Sequence, residues 1–132
     1  VKPAPQAPER PATTSQGWVT VGGKWRYVGN DGAYATGWIK VKGTWYYLHG
    51  NGDMATGWLK LGKTWYYLKG SGAMATGWYQ VGRTWYYSNG SGAMQANRWI
   101  GNYYVKSSGA MATSQWIGRY HVNASGKWDK TR

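Results

Sequence analysis

Cysteine and phenylalanine are both absent from the 132 residues, and proline occurs only four times. Without cysteine there are no disulfides, no thiolate nucleophiles and no cysteine-ligated metals, and the redox compartment stays open. Acids are nearly as scarce: Glu9, Asp31, Asp53 and Asp129 stand against 16 Lys and Arg, for a net charge of +12. Glu9 falls in a proline-rich leader and Asp129 near the C-terminus, so a hydrolase built on paired carboxylates has almost no material. His49 and His121 belong to different parts of the chain, and neither is expected to have an acid partner. His49 matches Lys69 and Asn89 elsewhere and is expected at an exposed strand end or loop. The expectation is therefore a protein with no catalytic residues, no cofactor and no metal. No apolar run is long enough to span a membrane as a helix, and the N-terminus carries neither an initiator Met nor an apolar signal core, which reads as a mature or excised fragment. Ile, Leu and Val supply only 15 residues, a share that beside such a charge would ordinarily indicate disorder.

What the chain does have is aromatic: 11 Trp and 12 Tyr. In the absence of aliphatics these rings must do the burying. The basic excess favours a polyanionic partner such as nucleic acid, anionic lipid or a phosphate-bearing wall polymer.

All four prolines lie in residues 1–16, VKPAPQAPERPATTSQ, which read as an extended, semi-rigid linker. Beyond it the sequence repeats. Trp18, Trp38, Trp58 and Trp78 are spaced by 20, and Trp25, Trp45, Trp65 and Trp85 follow each of them by 7. Each unit starts GW, passes a glycine-containing pair, reads WYYL or a relative of it, and ends in a loop such as GSGAMA at Gly70 to Ala75. Two shorter units follow, from Asn97 and from Ser114. In these, Asn102 and Arg119 replace the second Trp. The domain plan is a linker over 1–16, a repeat array over 17–128 and a short tail over 129–132.

The pairs Gly22-Gly23, Lys42-Gly43, Gly62-Lys63 and Gly82-Arg83 each suit a two-residue hairpin turn. If Val41 pairs with Thr44, then Lys40 pairs with Trp45 and Trp38 with Tyr47. One face then carries Trp38, Lys40, Trp45 and Tyr47, and the other carries Ile39, Val41, Tyr46 and Leu48. The aliphatic face is expected to be core. One hairpin cannot stand alone, so the expected fold is all-β, a solenoid of about six stacked hairpins. Met54, Met74, Met94 and Met111 recur in the loops and are expected to fill gaps between neighbours. Trp is used where Phe would pack equally well, and Trp has the most negative ring face. Two Trp of one hairpin and a ring from the next would make a three-sided cage suited to a quaternary ammonium ion.

The units TGWIKVKGTWYYLHGNGDMA from Thr36, TGWLKLGKTWYYLKGSGAMA from Thr56 and TGWYQVGRTWYYSNGSGAMQ from Thr76 resemble choline-binding repeats, the wall-binding modules of pneumococcal and related streptococcal surface proteins, autolysins and phage lysins. The resemblance implies a left-handed solenoid of β-hairpins on the bacterial cell surface. It also implies a secreted, non-catalytic anchor that holds phosphocholine of teichoic and lipoteichoic acids. Carried onto this sequence, the choline sites are Trp18 and Trp25 with Tyr47, Trp38 and Trp45 with Tyr67, Trp58 and Trp65 with Tyr87, and Trp78 and Trp85 with Tyr104. The alternation selects the second Tyr of each pair; Tyr46, Tyr66, Tyr86 and Tyr103 are the alternatives. Lys40 and Lys60, beside the cages, are candidates to meet the phosphate that accompanies choline. No standard site is expected in the last two units, which would cap the array or join two copies through Trp99, Trp116 or Trp128. An upstream domain, such as a wall hydrolase, fits the linker.

Two other readings compete. Aromatic repeats also suit carbohydrate, and a glucan-binding module is the alternative, though the Trp-Trp-Tyr set favours choline. Single-stranded nucleic acid would use the same charge and stacking rings. It predicts steep salt dependence, which cation–π cages do not.

Overall fold

The computed structural model describes residues 17–132, and the proline-rich linker read over 1–16 lies outside the described residues. Regular structure there consists of strands. β1 (Gly17–Val21) pairs with β2 (Lys24–Val28), β3 (Gly37–Val41) with β4 (Thr44–Leu48), β5 (Gly57–Leu61) with β6 (Thr64–Leu68) and β7 (Gly77–Val81) with β8 (Thr84–Ser88), all antiparallel. Two shorter hairpins follow: β9 (Arg98–Ile100) with β10 (Tyr103–Val105), and β11 (Gln115–Ile117) with β12 (Tyr120–Val122). β13 (Trp128–Thr131) adds to β12 as a third strand, with a register shift between His121 and Val122. Asp129, Lys130 and Thr131, read from sequence as tail, thus lie in a strand. The chain divides into two compact units, one ending at Ala75 and the other running Thr76–Arg132.

Turn chemistry sets the register. Val41 faces Thr44, Lys40 faces Trp45 and Trp38 faces Tyr47, and the flanking hairpins repeat the scheme. Both turn residues have positive φ at Lys42-Gly43 (51° and 83°), whereas at Gly62-Lys63 only the glycine does (65°). These are the I′ and II′ patterns, the two whose backbone twist matches that of the flanking strands.

The core is narrower than the alternation suggests. Leu48, Leu68, Ser88, Val105 and Val122, each the last residue of a second strand, are fully enclosed, joined by Ala55, Ala75 and Ala112. Ile39, Val41 and Tyr46, expected to be core, are only half-buried. They lie nearer the hairpin turn, where a two-stranded ribbon has covering neighbours on fewer sides. Ser88 occupies the place of Leu48 and Leu68, and its hydroxyl is satisfied by Tyr79 Oη at 2.8 Å.

Within each unit, backbone hydrogen bonds tie one repeat to the next. In the first, the Met54 and Met74 amides donate to the Trp25 and Trp45 carbonyls, both at 2.9 Å. In the second, Met111 donates to Trp85 and Trp128 to Asn102, both at 2.8 Å. The Met54, Met94 and Met111 side chains lie over Gly72, Gly109 and Gly126 of the following loops. A Cβ at Gly72 would collide with Met54 Sδ, and Gly72 has φ of 90°, so a side chain there is excluded twice over. Met54, Met94 and Met111 are thus the gap fillers the sequence suggests. The loops also use their polar residues: Asn89 Oδ1 accepts from the Ser91 and Ala93 amides, and Asn123 Oδ1 from those of Ser125 and Lys127.

Candidate functional site

Strand alternation puts Trp38, Lys40, Trp45 and Tyr47 on one face of the second hairpin, with Trp38 directly opposite Tyr47 and diagonal to Trp45. The rings meet edge to face. Trp38 lies 6.4 Å from Trp45 at 87° and 5.1 Å from Tyr47 at 70°. The first and third hairpins reproduce this: Trp18 is 6.3 Å from Trp25 and 5.2 Å from Tyr27, and Trp58 is 6.1 Å from Trp65 and 4.9 Å from Tyr67. In the second unit Trp78 is 5.1 Å from Tyr87 and Trp99 is 5.2 Å from Tyr104. Perpendicular neighbours leave the negative face of one ring turned toward the space beside the next, which is where a cation is held.

The ring that reaches across to the preceding hairpin is the first Tyr of each pair. Tyr46 lies 4.9 Å from Trp18, Tyr66 lies 5.0 Å from Trp38 and Tyr103 lies 5.6 Å from Trp78. Tyr47, Tyr87 and Tyr104 pack on the Trp of their own hairpins, and so does Tyr67. Strand alternation therefore orders the two faces of each hairpin correctly but does not identify the ring that reaches the preceding hairpin. Within each unit the aromatic face of one hairpin meets the opposite face of the next, and in the second hairpin that face carries Tyr46 rather than Tyr47. Burial pushes the Tyr46 phenol above its usual range, because desolvation disfavours the phenolate.

A cavity of about 340 Å³ opens at one such junction, lined by Trp78, Trp85, Tyr103, Met111 and Ser125. It shows the complete arrangement: two Trp of one hairpin, the first Tyr of the next, and the Met of the loop beyond. The inner Trp is the more covered and the outer more open, as Trp18 at 8% exposure and Trp45 at 39% illustrate. Lys40 Nζ sits 5.8 Å from the centre of Trp45, and Lys60 Nζ 5.7 Å from that of Trp65. Each cation thus lies at the rim of its aromatic cluster, over the outer ring.

His121 does have an acid partner, contrary to expectation, because β13 brings Asp129 Oδ1 to 2.7 Å from its Nδ1. The two residues join β12 to β13 eight positions apart, a pairing the sequence conceals. His49 lies at the exposed end of β4, 5.9 Å from Tyr47. Among the described residues no group of three His, Cys, Asp or Glu is placed to hold a metal, and no helix is long and apolar enough to cross a membrane.

Sequence models of the choline-binding repeat match residues 15–56, 55–99 and 93–128. Among solved structures, choline binding protein F from Streptococcus pneumoniae, crystallised in the presence of a peptidoglycan analogue, is 51% identical over 88% of this chain, with a TM-score of 0.82. The match covers 40% of that protein's chain. CbpJ from Streptococcus pneumoniae TIGR4 is 52% identical over 87% of this chain and 41% of its own, with a TM-score of 0.80. The modular autolysin LytC of the same organism is 31% identical over 92% of this chain and 34% of its own, with a TM-score of 0.60. The chain thus spans about two fifths of the length of the first two. Comparison with curated protein sequences finds no match.

Proposed function

The chain belongs to the choline-binding repeat family, and from that membership we propose that it is a non-catalytic module anchoring an attached protein to choline-bearing bacterial walls. The observation that carries the reading is the three-ring junction. At each, two Trp of one hairpin and the first Tyr of the next surround a space suited to trimethylammonium: Trp18, Trp25 and Tyr46; Trp38, Trp45 and Tyr66; Trp78, Trp85 and Tyr103. Trp58 and Trp65 form the same pair in the third hairpin. Methyl groups on nitrogen cannot donate hydrogen bonds, so ring faces rather than polar side chains select this cation.

Cation–π contacts are worth about 0.5–2 kcal/mol each, and three rings with some methyl burial give about 4 kcal/mol, near a millimolar dissociation constant. One site alone is a poor anchor. Successive sites on a polymer that bears many cholines gain about 100-fold or more through effective concentration, which yields tight but reversible attachment. Phosphocholine of teichoic and lipoteichoic acids is the polymer-borne ligand of the proposal, and it places the module outside the cell, in the wall. Lys40 and Lys60, at the rims, supply charge for the phosphate. The module carries no chemistry of its own in this account; a domain attached elsewhere in the protein would supply any activity. Pairing of two copies through the last repeats belongs to the same proposal, with Trp128, 44% exposed, as the most open ring there; sedimentation over a range of concentrations decides it.

Elution tests the anchoring. Protein bound to choline-bearing walls is expected to come off in free choline at about tens of millimolar, roughly tenfold above the affinity of one site. Retention in choline, with release by sodium chloride of the same ionic strength, would assign the attachment to the net charge instead.

A further inference from the structure

The last two repeats lack the second Trp, yet in the first of them another strand brings a ring to the junction. In the complete junction of this unit, the Met111 amide donates to the Trp85 carbonyl and Met111 bridges to Val105. One repeat later, the Trp128 amide donates to the Asn102 carbonyl at 2.8 Å and Trp128 pairs with Val122. Asn102 therefore stands where Trp85 stands, and Trp128 where Met111 stands. The ring has moved from the hairpin to the returning strand, and the junction keeps three.

We propose that Trp99, Tyr120 and Trp128 form a further quaternary-ammonium site, closed by β13 rather than by the hairpin's own second Trp. The proposal rests on the choline-binding reading and extends it to a repeat whose sequence lacks the standard set. Tyr120 lies 5.8 Å from Trp99 at 85° and 5.9 Å from Trp128 at 86°, so each neighbouring pair is perpendicular, as at the complete junctions. The three rings, with Gly101 and Asn102, line a cavity of about 280 Å³, close to the 340 Å³ of the Trp78 junction. Trp128 is held in place by two anchors: its backbone bond to Asn102, and its indole Nε1–H donating to Thr131 Oγ1 at 3.2 Å.

The next aromatic position shows the opposite arrangement. Trp116 lies beneath the chain's own cations, with the Arg132 guanidinium 4.3 Å and Lys130 Nζ 6.0 Å from its centre. β13 thus performs two tasks. Its first residue completes a cage around Trp99, and residues 130 and 132, in and just beyond it, cover the ring of the final hairpin with an internal cation. By this account the array ends at Trp116, one repeat later than the loss of the second Trp implies.

The test follows the indole N–H signals of the full chain by ¹H–¹⁵N NMR during titration with choline chloride, beside sodium chloride at matched ionic strength. Saturable shifts of the Trp99 and Trp128 signals in choline alone are expected. Trp128→Met, which restores the residue found at the equivalent loop positions, should remove saturation at Trp99 and leave the midpoint at Trp78 and Trp85 within twofold. Silent Trp99 and Trp128 signals beside saturating Trp78 and Trp85 would overturn this site and leave the choline reading standing. Silence at every Trp would overturn both. The unmodified protein answers the question even if the variant folds poorly.

Discussion

Replacing Tyr46 by Leu removes the one ring that the second hairpin contributes to Trp18, while Tyr47→Leu, one residue away, removes a ring facing the other side. Tyr46 is half-buried and 4.9 Å from Trp18. A partly desolvated ring–cation contact is worth about 1 kcal/mol within the 0.5–2 kcal/mol range, so choline at the Trp18 site should bind about fivefold more weakly, and no more than about 30-fold. Tyr47→Leu instead breaks the edge contact with Trp38 at 5.1 Å, costing about 0.5–1.5 kcal/mol of stability. It should leave the midpoint at Trp18 unchanged. The assay is a choline titration read at the individual Trp18 and Trp25 indole signals, with urea unfolding of both variants in parallel. If Tyr47→Leu weakened choline at Trp18 and Tyr46→Leu did not, front-to-back stacking would be the wrong account of how the sites close.

Gly72→Ala forces a side chain at φ of 90° into contact with Met54, and a loss of about 1–3 kcal/mol is expected in urea unfolding; an unchanged midpoint would show that the loop shifts freely. Lys60→Ala should weaken phosphocholine several-fold more than choline, because its ammonium sits at the rim over Trp65 rather than inside the ring set. Equal losses in calorimetry would remove the phosphate role.

The Trp spacings and the turn pairs made hairpin register legible, because a two-residue turn allows one pairing once the strand face is fixed. Val41 against Thr44 and Trp38 against Tyr47 follow directly. The pairing of two Trp across one hairpin face was legible for the same reason. The Tyr that reaches the neighbouring hairpin was not, since alternation orders residues within a hairpin and says nothing about which faces meet between hairpins. Nor did sequence reveal that only Leu48 of its face would be fully enclosed, which depends on how little a two-stranded ribbon covers near its turn. The His121–Asp129 pair and the placement of Trp128 beside Tyr120 both depend on β13 folding back onto β12, and the residues of β13 carry no repeat signature. The substitution of Asn102 for Trp was visible in sequence, but its compensation lay 26 residues away on that strand.

The most direct test of the cage account is a titration of intrinsic Trp fluorescence with choline chloride, beside sodium chloride at matched ionic strength and beside a glucan oligomer. Saturation by choline alone, at about millimolar concentration, is the predicted result. Identical responses to choline and sodium chloride, with saturation by the glucan, would contradict it and make the same aromatic junctions a carbohydrate-binding surface.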